Sequence, residues 1–360
     1  MDKNQKNYIE ELRQKVGGRW DSIFRARENA WKTKGEIEQL LVKGEDKFTS
    51  GDTNIVVFGS LGRNEWTSGS DLDWTFLVDG QADPQHLDMF LEIQKRLKGY
   101  KEPGRTGIFG NMAFSHDIIH RIGGQRDTNE NMTRRVLLLL ESDAIGRAES
   151  DAYTRVIKQI LNRYLEEEAR LRTDDGKHYK VPRFFLNDIV RFWRTMAVDF
   201  ASKQREQGGQ KWGLRNAKLR MSRKLIFAAG LLTCFSCHGL AAPGDDKSSP
   251  EESDDYDPLL IRLLDYISLT PLDILAKELV SRNVASETSK QIFEAYEEFL
   301  CMLDDKGIRE KLEKEVTPEN CSKSEVFQRV RKVSKIFQEG LVKLFYSDRL
   351  IGLTKKYAIF

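Results

Sequence analysis

The chain is 360 residues long, 32% charged and 39% hydrophobic with a net charge of +2, a balance that describes a globular protein large enough for two domains. No stretch approaches the roughly 18 consecutive apolar residues of a membrane span, and the polar opening MDKNQKNYIEELRQK has no apolar secretory core, so a cytoplasmic protein without membrane contact is expected. Charge is uneven: residues 245–257, DDKSSPEESDDYD, carry seven acids and one Lys, about −6, which leaves the remainder near +8 and compatible with a polyanionic ligand or with ordinary solvated surface.

In chain order, residues 5–48 read as helix, with apolar and aromatic positions at helical spacing in YIEELRQKVGGRWDSIF and WKTKGEIEQLLVKGEDKF. A turn follows, then a strand from Asn54 to Phe58, a loop rich in Gly and Ser, and a second strand from Asp71 to Val78. PQHLDMFLEIQKRLKGY is an amphipathic helix with Pro84 near its start, and GRTGIFG is a glycine-rich loop. NMAFSHDIIHRI reads as a third strand, and DTNENMTRRVLLLLESDAIG as a capped apolar helix. From Glu149 onward the patterns are helical throughout, apart from an acidic segment at 241–258 expected to be a mobile surface loop. No repeat of fixed period occurs. The expected fold class is α+β: a small sheet domain at residues 1–148, then an all-helical domain at 149–360.

CFSCH (Cys234, Cys237, His238) has the Cys-x-x-Cys-His spacing of haem attachment, but it ends the apolar helical run KLIFAAGLLTCFSCHGL. Two small core residues one helical turn apart are expected there, and Cys301 and Cys321 are too far apart to make a second zinc-ligand pair. The adjacent His116 and Asp117 invite a metal-hydrolase reading. That reading needs further histidines at defined places, and the chain has only His86, His116, His120, His178 and His238.

The chemistry concentrates in VVFGSLGRNEWTSGSDLDWTFLV, residues 56–78. Alternate residues of a strand project to one face, so Asp71 and Asp73 stand side by side and repel unless a divalent cation joins them. Hard oxygen donors favour Mg²⁺ or Mn²⁺. Gly59 permits close backbone approach, Ser60 adds a hydroxyl, and Arg63 is a candidate phosphate contact, with Glu65 fixing Arg63 or the loop. No G-x-x-x-x-G-K-[ST] sequence occurs.

The string GSLGRNEWTSGSDLDW resembles the active-site signature of the DNA polymerase β-like nucleotidyltransferase superfamily. Its Gly-Arg-x-Glu spacing is most similar to the PII-protein uridylyltransferases, the glutamine synthetase adenylyltransferases and their uncharacterised relatives. The resemblance implies a small mixed-sheet nucleotidyltransferase domain followed by a helical domain. It implies NTP as substrate, attack of an acceptor hydroxyl on the α-phosphate, and loss of pyrophosphate. Asp71 and Asp73 would bind the metal, and Gly59 and Ser60 the β- and γ-phosphates. A third carboxylate from an adjacent strand is also implied, with Asp117 chosen and Asp127 and Glu141 as competitors. The hydrolase and ligand-sensing domains of the bifunctional uridylyltransferases are not matched, so their reverse reaction does not carry over.

In RFFLNDIVRFWRTMAVDF, Phe185, Ile189, Phe192, Met196 and Phe200 form a buried stripe, while Asn187, Arg191 and Arg194 share another face; Lys211, Arg215 and Lys218 are grouped similarly. Arg191 and Lys218 are candidate nucleotide contacts if these faces line the cleft, and solvated faces with pairs such as Asp188–Arg191 if they do not. The acceptor, a protein or a small molecule, is not legible. Synthesis of cyclic or linear oligonucleotide signals and an inactive nucleotide-sensing module stand as alternatives. A template-directed polymerase is not expected, since there is no added nucleic-acid module and no long basic stripe with interleaved aromatics.

Overall fold

A computed structural model describes residues 7–41, 48, 51–103, 107–146, 151–166, 171–206, 211–242 and 257–358. Helix α1 (Tyr8–Val16) starts where Asn7 accepts the Glu10 amide and stops at Gly17, whose φ of 65° no side-chain-bearing residue adopts as cheaply. In α2 (Asp21–Leu41) the first free amides, Ser22 and Ile23, donate to the Glu297 carboxylate at 2.8 and 2.9 Å. A carboxylate from a distant helix thus caps α2.

The sheet has four strands, β1 (Thr53–Val57), β2 (Trp74–Val78), β3 (Asn111–Phe114) and β4 (Asp143–Ile145), in the order β3-β2-β1-β4. β1 runs antiparallel to β2, with Val57 opposite Trp74, and antiparallel to β4; β2 and β3 are parallel, with Thr75 opposite Asn111. Strands β1 and β2 are buried at every residue, which is why both are mostly apolar, with Thr53, Asn54 and Thr75 the polar exceptions. On one face Val56 and Leu77 join the large core of the molecule. On the other, Ile55, Val57, Trp74, Phe76 and Val78 meet Ala30, Ile37 and Leu41 of α2 and Ile93 of α4 (Pro84–Arg96), with α3 (Gly59–Gly62) a single turn between β1 and β2.

Three expectations are corrected here. The third strand ends at Phe114, and the following residues form α5 (Ser115–Ile119) and a turn. Ile118, Ile119 and Ile122 are all buried, a spacing that helical winding places on one side and a strand does not. The helix read across residues 127–146 is α6 (Asn129–Leu140), which stops at Glu141 so that Asp143–Ile145 pairs with β1 as β4. Three residues are too few for alternation to show. The second strand also begins at Trp74 rather than Asp71.

The rest is helical: α7 (Ala152–Glu166), α8 (Arg183–Glu206), α9 (Trp212–Lys218), a π-helical turn (Leu219–Arg223), α10 (Lys224–Phe235), α11 (Pro258–Ile267), α12 (Pro271–Ser281), α13 (Ser286–Asp304), α14 (Lys306–Lys314), α15 (Glu325–Phe345) and α16 (Ile351–Leu353). The fold is therefore α+β with a helical C-terminal region. Phe185, Ile189 and Phe192 of α8 are fully buried, and a Cβ on Gly230 of α10 would lie 2.8 Å from Ile189 Cδ1, so glycine permits that crossing. Cys234 and Cys237 are buried free thiols on and just after α10, and burial pushes the Cys237 thiol up to about 12. Helices α1 and α2 pack against α12 and α13, with Trp20 against Phe293 at 4.5 Å, so the large core is continuous from the first helix to the last ones. No helix among the described residues is long and apolar enough to cross a membrane. Most of the acidic segment, residues 243–256, lies outside the described residues.

Candidate active site

The first element of the site is the turn after β1. Gly59 has φ 62°, and a Cβ there would lie 2.5 Å from Asp73 Oδ2, so both backbone conformation and space require glycine. The first amides of the turn to find acceptors are Gly62, bonded to Phe58 O, and Arg63, bonded to Gly59 O. A Cβ on Gly62 would lie 2.1 Å from Glu141 O, so the turn is pressed onto the end of α6.

A chain of buried charges fixes this turn. Arg63 Nε donates to Glu65 at 2.9 Å and Arg63 Nη1 to Glu141; Glu141 also accepts from Arg223 at 3.0 Å, and Glu65 from Tyr296 Oη at 2.9 Å. Burial pushes the Glu65 carboxyl up, against the pull of the Arg63 guanidinium. Arg63 therefore does not project into the cleft as an uncommitted cation. It lines the cleft as a cross-brace, with two of its guanidinium nitrogens on the Glu65 and Glu141 carboxylates.

The second element is the approach to β2. The Thr67–Ser70 turn closes through Ser70 N to Thr67 O at 3.0 Å, and the extended segment after it is held on both sides, Phe58 N to Asp73 O at 2.8 Å and Leu72 N to Lys101 O at 2.9 Å. Asp71 and Asp73 consequently face one narrow cleft of about 30 Å³, with Gly59, Ser60, Arg63, Glu65, Thr67 and Ser70 on the same wall. Their electrostatics differ. Burial pushes the Asp73 carboxyl up to about 6, helped by Glu141 and Asp71 and opposed by Lys218 and Arg223. Burial also raises Asp71, but Lys218, Lys101 and Arg309 together outweigh it and hold Asp71 below the usual carboxylate range.

The facing wall comes from the helical region: Lys218, Ser222 and Arg223, Leu300 and Leu303 of α13, and Arg309 of α14. The π-helical turn explains the grouping. Its wider i→i+5 winding brings Arg223 round to the side of Lys218 and Ser222, which ordinary α-helical winding would not do. Lys218 is the one helical-region residue among the sequence candidates that lines this cleft. Arg223, Ser222 and Arg309 carried no readable signal, since each sits in an ordinary helical pattern far from the aspartates in the chain.

Asp117 and Arg191 are not brought to the cleft. β2 and β3 are parallel; Asp73 precedes the start of β2 and Asp117 follows the end of β3, so the two carboxyls stand at opposite ends of the sheet. Asp117 is half-exposed and paired with Arg121 at 2.6 Å. Arg191 binds Asp127, 3.1 Å to its carboxylate and 2.8 Å to its carbonyl, and the expected Asp188–Arg191 pair is replaced by Asp188 with Arg135 and Tyr164, each at 2.6 Å. Asp127 is buried against Arg135 and Arg191, and Glu141 against Arg63 and Arg223. Beside Thr75 on the face of Asp73, β3 offers Asn111. Among the described residues no group of three or more His, Cys, Asp or Glu is placed to hold a metal ion. The pair Asp71 and Asp73 still suits Mg²⁺, which takes one or two protein carboxylates and completes its octahedron with phosphate oxygens and water. The Gly59 cradle, which a Cβ would fill, leaves room beside them.

The family model described as a nucleotidyltransferase domain matches residues 37–102, under a fifth of the chain. The matched stretch runs from the second half of α2 through β1, the Gly59 turn, both aspartates and α4 to just past Lys101. No curated protein matches the chain.

Proposed function

We propose that the chain is a metal-dependent nucleotidyltransferase that transfers NMP from an NTP to a hydroxyl of a protein or small-molecule acceptor. The acceptor hydroxyl loses its proton, its oxygen bonds the α-phosphorus, and the bond to the departing pyrophosphate breaks. The carrying observation is the cleft itself, in which two convergent aspartates lie beside a glycine-limited turn and face Lys218, Arg223 and Arg309. The match to the nucleotidyltransferase domain over that stretch supports the same reading.

Asp71 and Asp73 would hold Mg²⁺ or Mn²⁺, which when bound neutralises charge on the phosphate oxygens of an in-line displacement. Every other part of the work falls to the chain. The Gly59 turn and the Ser60 hydroxyl lie on the aspartate side, where they would bind β- and γ-phosphate oxygens. Lys218, Arg223 and Arg309 present fixed positive charge from the other wall, where pyrophosphate charge would develop. Arg63, clamped between Glu65 and Glu141, holds the turn in shape so that it need not reorganise during transfer. A cytoplasmic setting belongs to the proposal and agrees with four free cysteines.

The test is mass spectrometry of nucleotide adducts after incubating purified protein with mixed NTPs, Mg²⁺ or Mn²⁺ and cell lysate. The reading expects an added NMP on an acceptor with wild type and none with the Asp71→Asn, Asp73→Asn double variant. Indistinguishable results would remove it, and nucleotide products formed without any added acceptor would turn the reading to oligonucleotide synthesis.

A further inference from the structure

Asp71 already has cations. Lys101 Nζ lies 2.8 Å from Asp71 Oδ1 and Arg309 Nη2 lies 3.9 Å from the same oxygen. Neither is on β2 or the Gly59 turn. Lys101 follows α4, and its ammonium is also held by Gly69 O at 3.3 Å. Arg309 comes from α14, nearly buried, and crosses Gly69 so closely that a Cβ there would lie 2.4 Å from its Nε. Its Nη1 donates to Thr67 Oγ1 at 3.3 Å, and at the end of α13, just before α14, Ser68 N donates to Asp304 at 3.3 Å. Glu313, one turn along α14, draws on both cations, 3.2 Å from Arg309 and 3.9 Å from Lys101. The first aspartate is thus the point at which α14 is tied across the mouth of the cleft.

Mg²⁺ or Mn²⁺ must come to about 2.0–2.2 Å from a carboxylate oxygen. An ammonium 2.8 Å from that oxygen stands where the ion would come and repels it at short range. Resting on the proposed metal-dependent reading, we infer that Lys101 and Arg309 are resident cations of the metal position, that Lys101 must leave Asp71 for the divalent ion to bind, and that Glu313 is the carboxylate that receives it. Metal binding is thereby coupled to the docking of α14. Glu313 is a positioning residue in this scheme and touches no substrate.

The inference predicts opposite signs for two neighbouring substitutions. Lys101→Met removes the competing charge while keeping most of the side-chain length, and Glu313→Gln removes the acceptor that draws the cations away from Asp71. Mn²⁺ binding to the full chain without nucleotide, followed by the electron paramagnetic resonance of free Mn²⁺, should tighten about three- to ten-fold in Lys101→Met, the scale of a partly exposed ion pair. It should weaken in Glu313→Gln and be lost in Asp71→Asn. Thermal melts of each variant confirm that it is folded, and Lys101→Arg, which keeps the charge, should bind as wild type. Unchanged or weaker binding in Lys101→Met, or unchanged or tighter binding in Glu313→Gln, overturns the inference while loss in Asp71→Asn leaves the metal reading standing. Wild-type binding in Asp71→Asn overturns both.

Discussion

Gly59 carries two constraints at once, a φ of 62° and a Cβ position 2.5 Å from Asp73 Oδ2. Gly59→Ala should therefore destabilise the chain by about 1–3 kcal/mol and cut transfer more than ten-fold, measured by urea unfolding and by labelled NMP incorporation. Asp73 gives a pH prediction. Its carboxyl binds a proton more tightly folded, at about 6, than at the ordinary 3.8 of an exposed aspartate, a difference of ~3 kcal/mol. This contribution to stability is full below pH 3.8 and is lost as pH rises towards 6, so above 6 the ionised group strains the fold. A divalent cation would offset that strain. Mn²⁺ should raise the melting temperature at pH 7.5 and barely at pH 5; equal shifts at both would show that Asp73 is not a ligand. The spacing of Asp71 and Asp73 was legible because a residue alternation needs only local geometry. The third carboxylate was not, because Asp117 follows β3 into a helix at the far end of the sheet, and only strand direction shows that.

Among elements, the π-helical turn between α9 and α10 matters most, since it faces Lys218, Ser222 and Arg223 to the aspartates. Lys218→Ala should weaken binding of a fluorescent NTP about ten-fold or more while leaving the far-ultraviolet circular dichroism unchanged, as expected for a cation facing a triphosphate. The turn itself left no sequence mark, because LRMSR continues a helical pattern on both sides. The Arg63–Glu65 pairing lies two residues apart and was within reach of the sequence. Its anchor Tyr296 is on α13, and only the packing of α13 brings the hydroxyl to Glu65. Tyr296→Phe leaves a buried carboxylate oxygen without its donor and should cost about 1–3 kcal/mol in urea unfolding, more than the lost hydrogen bond alone.

At the scale of the whole molecule, the sheet and the helical region share one core. Glu297 of α13 caps α2, Trp20 lies against Phe293, and Ile9, Leu12 and Ile23 are buried in a cluster that reaches α15. The α+β class and the helical remainder were readable from period alone. That α1 and α2 belong to the helical core as much as to the sheet was not, since amphipathic helices declare that they bury a face without declaring against what. The cleft exists only because both halves are present: the aspartates and the Gly59 turn come from one, the cations from the other. The central claim is that this pair of walls holds a metal–NTP complex for transfer. Pyrophosphate release from labelled NTPs, with lysate as acceptor source, tests it most directly. The account predicts release that requires Mg²⁺ or Mn²⁺ and disappears in the Asp71→Asn, Asp73→Asn variant; release that persists in that variant or in chelator, or none from wild type with any of the four NTPs, would contradict it.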